Sequence, residues 1–394
     1  MPSSSSCERS HRTKQRALKR IKLDLTSKFA LNTDEVPTSN VIVDDEIVHA
    51  VAAEVEICSC DTATVDLPSK EISTQTDSVT AVQTHDTTTQ TSSSSNLLSV
   101  DRFISDDTAF HFYTGLHNYD IFRCVLRSLG PAAYQLQYLY GRNPTLDIQN
   151  QLFLTLIKCR LYKTNFELST LFGVSVTDVY AIFVTWIKFM SLQWRELNMW
   201  PDRETVDFFA PFDFKQKFPS TRVIVDGTEI PIKKPSPPAA QQVTFSSYEN
   251  KNTAKSLIGI TPGGLVSYVS DAYGGSASDR QIVERSHLID TMDPGDSVMA
   301  DKGFDVQDLF APYDVTVNIP TFFRKRNKIA SKTVLHDRKI ASKRVHVERV
   351  IGVAKTYKIL TKSLTQTESL LSSHIIFVCF MLVNYRKCIV SRCA

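Results

Sequence analysis

The order of apolar and polar positions divides the chain into stretches of different texture. Across residues 150–190, "NQLFLTLIKCRLYKTNFELSTLFGVSVTDVYAIFVTWIKFM", Leu152, Leu156 and Leu161 recur at helical spacing. Residues 166–172 form a second short helix that Gly173 ends. Ser175 can then cap a third helix, with Asp178 three residues on and Val179, Ile182, Phe183 and Trp186 repeating along one face. Two helices joined by a tight Gly-containing turn are the helix-turn-helix pattern, and Thr177, Tyr180 and Lys188 are the polar positions expected to meet DNA. The alternative at this point is an ordinary three-helix core without DNA contact. Upstream, residues 110–129, "FHFYTGLHNYDIFRCVLRSL", are dense enough in aromatic and aliphatic side chains to anchor a core.

From Thr221 the period shortens to that of strands. "TRVIVDGTEIPI" alternates and then turns, "SLIGITPGGLVSYVS" is two apolar runs around Pro262-Gly263-Gly264, and "DSVMADKGF" is a third region of the same kind. Helical stretches are expected at 278–291 and 337–360, so the pattern predicts an α/β domain with a mixed sheet behind an all-α unit. The run "HIIFVCFMLVNY" at 374–385 is the most apolar, but a membrane span needs about 20 such residues. It reads as a buried helix, and no membrane partner is expected.

The first stretch differs from both. Fourteen of the twenty-four residues from 72 to 95 are Ser or Thr and none is Leu, Phe, Trp or Tyr. Such a segment buries too little to offset its ordering entropy, which predicts a disordered leader over 1–98. The expected organisation is therefore leader 1–98, helical domain 99–200 and α/β domain 201–394 with its core at 221–384. Charge sharpens this division. The 394 residues carry a formal charge of only +3, but residues 1–30 hold eight Lys or Arg against two acids, and residues 31–95 hold one Lys against twelve acids. The body that follows is basic, which favours polyanions as partners. Eight scattered cysteines without CxxC pairs fit a reducing compartment, cytosol or nucleus, with free thiols and no structural zinc.

Two leader motifs stand out. "KRIKLD" at 19–24 resembles a monopartite nuclear import signal through Lys19, Arg20 and Lys22, which predicts a nuclear protein. Three Gln-Thr pairs at Gln75, Gln83 and Gln90 resemble the anchors by which extended peptides add a β-strand to dynein light chain.

Within the α/β domain several carboxylates compete for a chemical role. Alternation along "VIVDGTEI" puts Asp226 and Glu229 on opposite strand faces, so the two cannot easily share one ion. Asp301 follows the apolar run Val298, Met299, Ala300, which places it at a strand end. Asp271 and Asp279 flank "YGGSAS" and read as turn and helix-cap residues. Glu348 lies in "KRVHVERVIGVAK", where residues 321–349 hold ten Lys or Arg against two acids, and Gly352 one turn on leaves room beside it. The simpler readings are that Glu348 only pairs with Arg344 at i−4 and that Asp226 belongs to a plain Asp-Gly turn.

"VIVDGTEI", "YGGSASDR", "VMADKGFDV" and "RVHVERVIG", in that order, resemble the DDE superfamily endonuclease domain of PIF/Harbinger-like transposases, especially the animal branch often fused to a THAP finger. "FHFYTGL", "FELSTLFGVSVTDVYAIFVTWI" and "YENKNTAKSLIGITPGG" belong to the same resemblance, which covers roughly residues 103–390. It implies an RNase H-like mixed sheet with flanking helices, preceded by a helix-turn-helix. It also implies that Asp226, Asp301 and Glu348 are a catalytic, metal-binding triad holding two Mg²⁺ or Mn²⁺ ions for transposase-type DNA cutting and strand transfer. Hard oxygen ligands suit such ions. Arg324, Lys325, Arg326, Lys343 and Arg344 would then bind DNA phosphates beside the cut. No Cys and His spacing of a THAP finger precedes the body, so targeting falls to the helix-turn-helix or to a Myb-like companion protein. The alternative is a domesticated, transposase-derived DNA-binding or scaffold protein without nuclease activity.

A fluorescent fusion of residues 1–40 is expected to enter the nucleus and to lose that preference when Lys19, Arg20 and Lys22 are replaced by alanine. Unchanged nuclear signal in the triple variant would identify the stretch as a solvated basic tail.

Overall fold

Helix-forming spacing and well-placed caps build the first half of the structure, a computed structural model that describes residues 97–139, 143–320, 331–387 and 389–390. The import and Gln-Thr motifs lie outside the described residues, as do Arg324, Lys325 and Arg326. Leu97 and Leu98, within or at the edge of the expected leader, are packed. Leu98 donates its amide to the Leu171 carbonyl at 2.7 Å, and Leu97 lies against Gly173.

Helices α1 (Asp107–Thr114), α2 (Tyr119–Ser128), α3 (Ile148–Leu161), α4 (Asn165–Phe172) and α5 (Val176–Arg195) form the all-α unit. A reciprocal capping box between Thr164 and Glu167 starts α4, and Gly173 ends it at φ 66°. That left-handed conformation is one glycine adopts without the Cβ clash other residues meet. The Ser175 side chain then accepts from the Asp178 amide to start α5, and the two helices meet at 104°, within the range of a helix-turn-helix. Among the described residues no single helix is long and apolar enough to cross a membrane.

Helix α5 departs from the one-sided helix its periodicity suggests. Every residue from Ala181 to Ser191 is buried, because α3, α4 and a C-terminal helix pack around it. Lys188 is consequently 7% exposed and is not a surface position, a correction to its expected DNA contact. The first turn, at Val176 and Thr177, remains open to solvent with Tyr180 half-buried behind it, and Leu192 and Arg195 are exposed near the other end.

Helices α6 (Arg203–Phe209) and α7 (Phe212–Lys217) lead into the sheet. Its strands are β1 (Thr221–Pro231), β2 (Phe245–Ser246), β3 (Lys251–Ile260), β4 (Val266–Val269), β5 (Tyr273–Gly274), β6 (Ser297–Met299) and β7 (Thr316–Asn318). The spatial order is β2-β3-β1-β6-β7, with β4 and β5 also paired to β3. β1–β6 and β6–β7 are parallel and the remaining pairs antiparallel, so the sheet is mixed, as expected. Helices α8 (Pro238–Thr244), α9 (Asp279–Arg285), α10 (Gln307–Phe310), α11 (Ser331–Ala354), α12 (Gln366–Ser369) and α13 (Ser372–Val383) complete the fold.

The "DGTE" segment does not turn. β1 runs through Asp226 and Gly227 to Pro231, because β3 pairs with it along eight successive residues. Period-two alternation then sorts its side chains. Ile224, Ile230, Ile258, Ile260 and Met299 enter a core shared with α3, α5, α11 and α13, whereas Val223, Val225, Leu257, Val298 and Ala300 enter a second core with α9 and α10. The two glycines of "YGGSAS" answer a close approach: a Cβ on Gly274 would strike the Val243 carbonyl, and one on Gly275 the Thr253 hydroxyl.

The first of these cores runs without interruption from Val100 to Val383, so the change of texture near residue 200 is not a break in packing. A buried polar cluster fastens the two halves. Lys158 on α3 pairs with Glu368 on α12 at 3.0 Å and donates to Asn165 at 2.6 Å, and the Tyr162 hydroxyl donates to Glu368 at 2.7 Å. Burial works against the Glu368 charge, but Lys158 and Tyr162 outweigh it and hold the carboxyl below its ordinary value. Glu368→Ala, which leaves the buried Lys158 charge unpaired, is expected to destabilise the protein by about 3 kcal/mol. Helical signal and Trp fluorescence should still be lost in one urea transition. Two separated transitions in the wild type would show that the halves fold independently.

Candidate active site

Parallel pairing sets the first two carboxylates side by side. Ile224 on β1 lies opposite Met299 on β6, and the same register continued by two residues puts Asp226 alongside Asp301 just beyond the strand end. Asp226 is on the face that packs against α11, while Asp301 turns back on itself, its Oδ1 accepting from the Lys302 amide at 2.7 Å. α11 buries Ile340, Lys343, Val347, Val350 and Ala354. Arg344 and Glu348, one turn apart, flank that stripe at its edge.

The three carboxylates meet around a single guanidinium. Arg344 places Nη2 at 2.7 Å from Glu348 Oε1, Nε at 3.5 Å from Asp301 Oδ1 and Nη1 at 3.8 Å from Asp226 Oδ1. The i−4 pair of the simpler reading therefore exists, yet it is one of three contacts. Gly352 faces open space, and a Cβ there would meet nothing within 4 Å.

Asp226 carries the electrostatic strain of this arrangement. Burial pushes its carboxyl up to about 6, and the Asp301 and Glu348 charges add to the rise. Arg344 and the Gly227 amide pull in the other direction without cancelling it. Burial and like charges acting on one carboxyl at a sheet end make it a functional-site candidate with a physical rationale.

The remaining acids sit elsewhere. Glu229 accepts from the Thr253 hydroxyl at 2.7 Å on the opposite face of β1 from Asp226. Asp279 is the first residue of α9 and not its cap, which is Ser278. Its Oδ1 pairs with Lys255 at 2.9 Å, and the pair lies over Gly227, whose Cβ would come 3.3 Å from that oxygen. Asp271 pairs with Arg195 at the end of α5 at 2.9 Å.

Of the expected phosphate-binding cations, Arg344 lies inside the carboxylate cluster. Lys343 is a further correction: 7% exposed, it pairs with Asp213 at 2.7 Å on α7 and does not face solvent. Lys217 and Lys343 together hold the Asp213 carboxyl down at about 2. Exposed cations on α11 are instead Arg338, Lys339 and Arg349. Helical wheel position could have found Arg338 and Arg349, which lie off the buried stripe, but not Lys339, which shares the side of Lys343 and Val350 and is exposed all the same.

The donor set is all carboxylate oxygen, partly open to solvent and drawn toward one positive charge, which suits a hard divalent cation. As the side chains stand, no three Asp, Glu, His or Cys of the described residues are close enough together to hold an ion, because the Arg344 guanidinium lies between them.

Comparison with known proteins bears on this geometry. Residues 225–384 match the family described as DDE superfamily endonuclease, and residues 144–194 match the helix-turn-helix of DDE superfamily endonuclease. No curated protein and no solved structure matches the chain.

Asp226 also generates a stability prediction. With its folded value near 6 against an ordinary 3.8, its contribution to stability is fully present below about pH 4 and is lost as pH rises through 6. Asp226→Asn is therefore expected to stabilise the metal-free protein at pH 7.5 by on the order of 2 kcal/mol, an advantage that shrinks toward pH 4. Urea denaturation in EDTA at both pH values measures it. A variant no more stable than wild type at pH 7.5 would show that the Asp226 charge is not held at a cost.

Proposed function

From the premise that the chain carries a DDE superfamily endonuclease domain behind the helix-turn-helix of that superfamily, we propose that it is a transposase-type DNA endonuclease and strand transferase dependent on divalent metal. The observation that carries this reading is the convergence of Asp226, Asp301 and Glu348, from two strand ends and a helix, on one positive group, the Arg344 guanidinium. Asp226, Asp301 and Glu348 would together hold the Mg²⁺ or Mn²⁺ ions. Such ions, when bound, activate a water or a 3′-hydroxyl and steady the leaving oxygen during in-line displacement at phosphorus.

The chain's own residues supply position and charge. The β1–β6 register holds the two aspartates at fixed spacing, and α11 brings Glu348 over the same strand ends. Arg338, Lys339 and Arg349, exposed on α11, meet the phosphate backbone, and Thr177 presents the first turn of α5 to duplex DNA, whereas the Tyr180 hydroxyl is buried and offers DNA at most the side of its ring. With Lys188 buried, the helix-turn-helix has one fewer cation for DNA, and a companion DNA-targeting protein of the Myb-like kind would share the task of finding the site. Work of this type belongs in the nucleus, in keeping with the basic motif at 19–24.

Asp226→Asn, Asp301→Asn and Glu348→Gln are each expected to lower Mg²⁺- or Mn²⁺-dependent nicking of supercoiled DNA by about 100-fold or more. Glu229→Gln and Asp279→Asn, whose side chains lie on the other sheet face, should keep most of it. Full cleavage by Glu348→Gln would remove that residue from the site. A wild-type protein that binds DNA with steep salt dependence but never nicks it would favour the domesticated, non-cutting alternative.

A further inference from the structure

Arg344 does more than the proposed reaction asks of it. A residue whose task was to grip a DNA phosphate would point its guanidinium to solvent, as Arg338 and Arg349 are placed to do. Arg344 is only 18% exposed in its side chain, and each of three guanidinium nitrogens faces a different triad carboxylate. The three contacts draw together residues 226, 301 and 348.

We infer that Arg344 is the built-in counter-ion of the metal-free triad: it holds Asp226, Asp301 and Glu348 assembled before a divalent ion arrives and competes with that ion for the same oxygens. The inference rests on the triad reading given above. Three carboxylates brought to one strand end repel one another, and a cation among them offsets that repulsion. An arginine suits the task better than a lysine, because its planar fork offers separate N–H groups to separate acceptors and it keeps its charge at any working pH. It cannot give way to a metal ion by losing its proton, so it has to move.

Its direction of movement is set by the helix. On one side Lys343 is pinned to Asp213 within the packed face, while Arg338 and Arg349 mark the open basic side. An arginine displaced by divalent charge finds its new acceptor there, in a DNA phosphate. The same guanidinium therefore couples the two ligands: metal binding frees it for DNA, and DNA binding draws it off the carboxylates. Such a coupling acts equally in both directions.

The test uses the full-length protein, with Mn²⁺ as the probe. Isothermal titration and Mn²⁺ electron paramagnetic resonance give its affinity, and thermal melts in EDTA and in Mn²⁺ give its effect on stability. Arg344→Gln is expected to bind Mn²⁺ at least about 5-fold more tightly than wild type in the absence of DNA, and to melt lower in EDTA with the deficit shrinking in Mn²⁺. Arg344→Lys, which keeps the charge, should fall between the two and guards against misfolding as an explanation. In the presence of a non-cleavable duplex, wild type should gain Mn²⁺ affinity and Arg344→Gln should gain much less. A purely structural arginine would lower the melting temperature equally with and without Mn²⁺ and leave Mn²⁺ affinity unchanged, which overturns the inference while leaving the triad intact. If wild type and Asp226→Asn alike bind no Mn²⁺, the triad reading itself fails and this inference fails with it.

Discussion

Parallel pairing of β1 with β6 is the constraint on which the candidate site depends. The two strands are separated by some seventy residues of chain, and their register, Ile224 opposite Met299, sets Asp226 and Asp301 next to one another. A slip of one residue would send every side chain of the shifted strand to the other face. The register is secured because both faces are buried: Ile224 and Met299 serve one core, Val223 and Val298 the other. The carboxylates stand where that packed region ends.

The third carboxylate depends on a different element and a different kind of packing. α11 is held to the sheet by Val347, Val350 and Ala354, and to α7 by the Lys343–Asp213 pair beside the Phe214 ring. These contacts fix the helix's rotation, and the rotation decides that Arg344 and Glu348 face the strand ends. The all-α unit supports the same arrangement from behind. α5 lies against α13, Asn384 at the end of α13 exchanges two hydrogen bonds with Val266 on β4, and Lys158 reaches Glu368 across the divide. The α4–α5 pair is thereby part of the wall of the α/β core, which leaves exposed chiefly the outer side of α4, the first turn of α5 and a few positions near its other end.

The balance of charge at the site sets it apart from the other ion pairs of the molecule. Lys158–Glu368 and Lys343–Asp213 are closed pairs whose carboxyls lie below their ordinary values. At the triad one guanidinium serves three acids, and Asp226 remains above its ordinary value in spite of it. A cluster left short of positive charge is one that a divalent cation would stabilise, and the protein's fold keeps it in that state.

Local physics was legible in the chain. The α4–α5 turn follows from Gly173 and Ser175, since capping and the i, i+3, i+4 contacts act within a few residues. Alternation likewise placed Asp226 and Glu229 on opposite faces of β1, whereas the grouping of Asp226, Asp301 and Glu348 came from the family resemblance and not from local pattern. Periodicity, however, reports one buried face and cannot count how many neighbours a helix has. Lys188 and Lys343 read as surface cations until α3, α4 and α13 closed around the first and α7 around the second. Two-residue strands such as β2 and β5 exist only because β3 offers them a long edge, and left no pattern of their own. Arg344 shows the limit most plainly. Its pairing with Glu348 was written in a four-residue spacing, whereas its reach to Asp226 and Asp301 spans 118 and 43 residues of chain and was decided by the β1–β6 register and the rotation of α11.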